Sequence, residues 1–71
     1  MAAWITYKPS ENTTEIYDLD QVPRFRHVQN GAESQIEFWI EENQHTIMYS
    51  LDQDAYRNVM AYIREKTGYQ G

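Results

Sequence analysis

Two stretches of strict apolar and polar alternation, at residues 36–41 and 46–51, constrain this chain more than any other feature. Ile36-Glu37-Phe38-Trp39-Ile40-Glu41 puts Ile36, Phe38 and Ile40 on one side, the pattern of a strand with a single buried face. Thr46-Ile47-Met48-Tyr49-Ser50-Leu51 alternates in the same way. A tight turn at Asn43-Gln44 sets Ile40 opposite Ile47, Phe38 opposite Tyr49 and Ile36 opposite Leu51, so every inward residue meets another. A slip of one residue would send one strand's apolar set to solvent, which makes the pairing strongly specified. That register also leaves Trp39 directly across from Met48 on the outer side.

Upstream, Asn30-Gly31 is a strong hairpin signal, because both residues tolerate the positive φ that a tight two-residue turn demands. It predicts a strand over residues 22–29, with Phe25 opposite Ile36 inside, Arg24 opposite Glu37 outside, and Pro23 at the strand's start, where its missing donor does least harm. Two shorter β-like segments, residues 3–7 and 14–19, flank a turn-rich stretch and predict a first hairpin. In Asp18-Leu19-Asp20-Gln21-Val22 the alternation fails, which predicts a bend with Leu19 and Val22 tucked inward and the aspartates in water.

Tyr56, Val59, Met60 and Ile63 recur at helical spacing and predict a helix over 53–66. Asp52 is placed as its N-cap, Leu51 and Tyr56 as a hydrophobic staple, and Gly68 as the left-handed residue that ends it. Asp54 at the start and Arg64 and Lys66 at the end complement the helix dipole. The expected architecture is therefore α+β, a four-stranded antiparallel sheet in the order β-β-β-β-α. Its helix packs on the face of Phe25, Ile36, Phe38, Ile40, Ile47, Tyr49 and Leu51. One domain takes up residues 1–71, ordered over about 3–67, with 68–71 as a tail.

A chain of 71 residues supports one small core, and domains of this size often add a disulfide, a metal or a second subunit. There is no cysteine, which excludes disulfides and fits a reducing, cytoplasmic setting. Only His27 and His45 offer imidazoles, without paired-ligand spacing, so no metal or cofactor is expected. Self-association is the remaining route. No apolar run reaches signal-peptide or membrane-span length, and Asn12-Thr13-Thr14 reads as an ordinary polar loop despite matching a glycosylation sequon.

The net charge of −5 argues against a general phosphate-binding surface, since that affinity comes from clustered Lys and Arg. Between His27 and Tyr56 stand six acids and no Lys or Arg, while Arg24 and Arg26 sit just before. A nucleic-acid platform built from Arg24, Arg26 and His27 beside Phe25 and Tyr17 has too few cations and an inward Phe25. No nucleophile, P-loop or metalloprotease spacing occurs, so no catalytic residue is expected. What is left over is an apolar pair on the wrong face, Trp39 with Met48, rimmed by Arg24 and Arg26.

Trp and Met are enriched at interface centres, and the resulting expectation is a non-catalytic interaction or accessory module. It would bind a larger protein, or itself as a homodimer, through the outer sheet face, unless Trp4 or Tyr7 covers that pair. In a symmetric dimer Arg24 and Arg26 of one copy would face Glu37 and Glu41 of the other. The alternative is a small-ligand or nucleic-acid-binding regulatory domain, and a more distant one an acidic decoy that imitates a polyanion.

Overall fold

The computed structural model describes residues 3–70; Met1, Ala2 and Gly71 of the expected domain lie outside them. Strands β1 (Trp4–Ser10), β2 (Thr13–Asp18), β3 (Arg24–Val28), β4 (Gln35–Ile40) and β5 (Asn43–Met48) precede one helix, α1 (Gln53–Thr67). All five β-like segments are strands, one more than the four expected. They form two antiparallel sheets rather than one, a hairpin β1-β2 and a sheet of order β3-β4-β5.

Side chains and a tight bend separate the two sheets. After β2 the chain makes a 3₁₀ turn, Leu19–Gln21, with Asp18 accepting from the Asp20 N–H at 3.1 Å. Leu19 is fully buried there, as its place in the bend predicts, and Pro23 follows with no N–H to offer a neighbouring strand. Where β1 approaches β5, the Met48 N–H donates to the Tyr7 hydroxyl at 3.3 Å, and the Lys8 N–H donates to the Asp52 carboxylate at 2.9 Å. Backbone donors that a continuous ladder would use are thus taken by side chains.

Both hairpin registers of the larger sheet differ from expectation by even numbers of residues. Glu41 and Glu42 form the β4-β5 turn, Glu41 in the left-handed region at φ 58°, so Ile47 faces Ile36 and Phe38 faces His45. Trp39 accordingly lies opposite Gln44, and Met48 opposite Gln35; the expected Trp39–Met48 pair does not form. Between β3 and β4 a longer loop with a 3₁₀ turn at Gly31–Glu33 replaces the two-residue turn. Its staple is Ser34, buried, whose Oγ donates to the Gly31 carbonyl at 2.7 Å and accepts the Asn30 N–H at 3.1 Å. Phe25 therefore faces Phe38, Arg24 faces Trp39 and Arg26 faces Glu37. Because side chains alternate with period two, an even slide keeps inner residues inside.

The core shows that preservation. Ile36, Phe38 and Ile47 are fully buried against Ala55, Val59 and Ile63 of α1, with Phe25 and Ile40 partly buried beside them. Two members of the expected face are lost: Tyr49 falls in the turn after β5, and Leu51 is 50% exposed. Because β5 begins and ends three residues earlier than expected, residues 49–51 form a turn closed by the Leu51 and Asp52 N–H groups on the Met48 carbonyl, at 3.1 and 3.2 Å. From there α1 begins and ends as its sequence predicts. Asp52 accepts from the Ala55 N–H at 3.1 Å, and Gly68, at φ 78°, donates to the Arg64 carbonyl at 2.8 Å.

The β1-β2 hairpin shares the inner side of the larger sheet with α1. Tyr7 and Tyr17 are buried, and the Tyr17 ring meets Phe38 edge-on at 4.9 Å and 87°. Burial, followed by the hydrogen bond to Glu15, pushes the Tyr17 hydroxyl well above its usual pKa. His45 is an inward residue of β5 against Tyr17 and Phe38, at 5.0 and 5.6 Å between centroids. One face of the β3-β4-β5 sheet is covered twice over. The other face is bare.

Candidate functional site

The bare face is built from the alternate residues of three strands, Arg24 and Arg26 on β3, Gln35, Glu37 and Trp39 on β4, and Gln44, Thr46 and Met48 on β5. Tyr7 is buried on the opposite side and Trp4 is 63% exposed, so neither serves as the cover weighed for Trp39. Two guanidinium groups do. The Arg24 carbon Cζ stands 4.7 Å from the Trp39 ring centroid and that of Arg26 5.3 Å, within the range where the ring's negative face attracts a cation. The placement follows from register, since Arg24 is directly across from Trp39 and Arg26 is one step diagonal on the same face.

Beside this stack the Glu37 carboxylate is fully engaged. It accepts from Arg26 at 3.3 Å, from the Gln35 amide at 2.6 Å and from the Gln44 amide at 3.1 Å, and its side chain is only 14% exposed. Arg26–Glu37 is the one ion pair on this face among the described residues, which leaves Arg24 with the indole and no carboxylate. Three of the four sequence-predicted interaction residues, Trp39, Arg24 and Arg26, come together. Met48 stays on the same face, partly buried, but opposite Gln35, four residues along β4 from the Trp39 it was expected to face.

At the edge of this face the surface turns into a cleft of about 540 Å³, between β3 and the C-terminal end of α1. Pro23, Arg24, Phe25 and His27 line one wall, and Ile63, Thr67 and Tyr69 the other. His27 is held in the first wall through both ring nitrogens. One ring nitrogen, Nδ1, shares a hydrogen bond of 2.8 Å with the Tyr69 hydroxyl, and Nε2 shares one with the Tyr56 hydroxyl. Burial lowers the His27 pKa from 6.5, so at neutral pH the ring is uncharged and is no part of a basic platform. Desolvation likewise raises the Tyr56 hydroxyl, opposed by a hydrogen bond with Ser34. Along the wall Phe25 approaches Tyr62 at 6.0 Å, and Tyr62 donates to Asp20 at 2.7 Å, which pushes the phenol up to about 12.

Sequence reasoning put Tyr69 in the dispensable tail and named no cleft. The signal was present in two places: strict alternation puts His27 on the inward side with Phe25, and Gly68 in the left-handed conformation turns the chain back toward β3. The nucleic-acid platform is not assembled, since Tyr17 lies in the core under the hairpin and His27 faces tyrosines. Among the described residues no group of three or more His, Asp or Glu side chains is arranged to hold a metal ion, and no helix is long and apolar enough to cross a membrane. No protein-family model matches the chain, and no curated protein or solved structure matches it either.

Proposed function

We propose that this domain is a non-catalytic interaction module that binds an acidic segment of another protein through the outer face of the β3-β4-β5 sheet. The observation that carries the reading is the pair of guanidinium groups over the Trp39 ring, Arg24 at 4.7 Å and Arg26 at 5.3 Å from its centroid. Aromatic and arginine side chains dominate the energetics of protein interfaces, and here they are pre-stacked, so little side-chain entropy remains to be lost on binding. The self-associating version draws on Glu37 as the acid facing a neighbour's arginines. That carboxylate already accepts three hydrogen bonds within its own chain, so a separate acidic partner fits the face better. A non-catalytic role is supported by the histidines, His27 being spent on two tyrosine hydroxyls and His45 on ring packing. A cytoplasmic setting is supported by the cysteine-free sequence.

Titration of fluorescence tests this directly. In a Trp4→Phe background Trp39 is the only indole of the chain, and hexaglutamate should change its emission saturably. Hexalysine should not, and Arg24→Glu with Arg26→Glu should reverse that preference. An equal response to both peptides, or an acidic response that survives the charge reversal, defeats the reading.

A further inference from the structure

β3 has a strand neighbour on one side only, β4. On its other side lies the cleft whose far wall is the last turn of α1 and Tyr69. An edge strand directs the N–H and C=O groups of alternate residues outward, a ready template for another extended chain. The opposite edge of the sheet differs, because there Tyr7 accepts the Met48 N–H and Asp52 accepts the Lys8 N–H across the gap to β1. β1 thus closes on the far end of the β5 edge, whereas the β3 edge opens onto an apolar wall.

The charges around the open edge select what can pair with it. The chain holds eleven acids and six Lys and Arg residues, yet no acid lines the cleft, and its one charged lining residue is Arg24. Four of the six cations belong to the flanking elements: Arg24 and Arg26 to β3, and Arg64 and Lys66 to the last turn of α1, where Glu65 is the one acid between them. A strand laid beside β3 would point alternate side chains to the two sides of the sheet. On the inner side they would enter the cleft against Phe25, Ile63 and Tyr69. On the outer side they would lie next to Arg24 and Arg26. A second copy pairing antiparallel through its own β3 would bring arginines of like charge onto one face across the new ladder, which is destabilising.

We propose that the β3 edge accepts an extended peptide of alternating apolar and acidic residues as an added strand, the apolar side chains seated in the β3–α1 cleft and the carboxylates on Arg24 and Arg26. This rests on the acidic-partner reading above and specifies the form the segment takes. Main-chain hydrogen bonds to the edge supply affinity, and the alternation supplies specificity.

The probe is a blocked hexapeptide, Val-Glu-Val-Glu-Val-Glu, titrated into the full chain and followed by amide chemical shifts and hydrogen exchange. Controls are the block isomer Val-Val-Val-Glu-Glu-Glu, an analogue N-methylated at alternate amides, and Val-Lys-Val-Lys-Val-Lys. Saturable binding with a dissociation constant of about 1 mM or tighter is expected, with exchange slowed at the outward amides of β3. N-methylation should weaken binding at least tenfold, a loss about as large is expected from Arg24→Glu with Arg26→Glu, and the Val-Lys peptide should bind that double variant instead. Equal binding of the alternating and block peptides, or binding without slowed exchange in β3, overturns the added strand. If hexaglutamate still perturbs Trp39 in that case, the outer-face reading survives alone; if it does not, both fall. A doubled mass by light scattering, lost on adding the alternating peptide, would assign the edge to a second copy and overturn the proposal, as would failure of the folded protein to bind the peptide at all.

Discussion

Phe38 and Trp39 are adjacent in β4 and share nothing of their surroundings. Phe38 is fully buried, with Phe25, Tyr17 and His45 around its ring. Trp39 points the other way, with the guanidinium groups of Arg24 and Arg26 over its ring. The inner face is shut by a helix and a hairpin, while the outer face is finished with side chains of its own strands. A small antiparallel sheet often leaves one side to solvent, but solvent alone does not call for an indole with two guanidinium groups over its ring. The difference separates what makes the chain fold from what it has left to offer a partner.

That separation breaks most easily at Phe38. Phe38→Ala removes a ring from a site with no exposure and should cost about 3–5 kcal/mol, enough to unfold much of so small a domain. Urea denaturation followed by circular dichroism measures it, and a loss below about 1 kcal/mol would mean that the core does not centre on β4. A smaller effect is expected where β1 meets the helix cap. Asp52 caps α1 through the Ala55 N–H and holds the Lys8 N–H with its other oxygen, at 3.1 and 2.9 Å. Asp52→Ala should cost about 1–2 kcal/mol. Asn at this position keeps one acceptor and loses the other, so Asp52→Asn should fall between the wild type and Asp52→Ala if both bonds contribute.

The sequence carried the faces of the sheet farther than its pairing. Alternation assigned Phe25, Ile36, Phe38, Ile40 and Ile47 to the inside and Arg24, Arg26, Glu37, Trp39 and Met48 to the outside, and these assignments hold because both register errors were even. Turn chemistry was the misleading cue. Asn30-Gly31 favours a two-residue hairpin, but the buried Ser34 hydroxyl closes a longer loop with two bonds that no local rule anticipates. Asn43 was the better left-handed residue on propensity, yet Glu41 takes that conformation, because the turn at Glu41-Glu42 lets Ile47 meet Ile36 and frees residues 49–51 to reach the helix cap. The two-sheet split depends on Tyr7 and Asp52 reaching across chain separations of 41 and 44 residues, which periodicity within short windows cannot register. The cleft was hidden for a similar reason: it exists only when Tyr69 folds back on His27, 42 residues away.

Trp39 supplies the other half of the comparison. Exposed cation–π contacts contribute about 0.5–1 kcal/mol, so Trp39→Ala should lower stability by about 1 kcal/mol or less while abolishing the response to acidic peptides. Should it destabilise the domain as much as Phe38→Ala, the outer face would be a second core and not a binding surface.

The smallest effect concerns the cleft and depends on pH. Burial lowers the His27 pKa in the folded protein from its ordinary 6.5, and the groups facing the ring are the Tyr56 and Tyr69 hydroxyls, with Arg24 in the same cleft wall and no carboxylate to favour a proton. As pH falls through 6.5 the unfolded chain therefore takes up the proton first, and stability drops until the folded-state pKa is passed. His27→Gln has no such proton to bind. The wild type should accordingly lose more stability than His27→Gln between pH 7 and pH 5, both measured by urea midpoint, with the difference vanishing above pH 7. Parallel curves would show that the imidazole in the cleft wall is as open to solvent as the outer face.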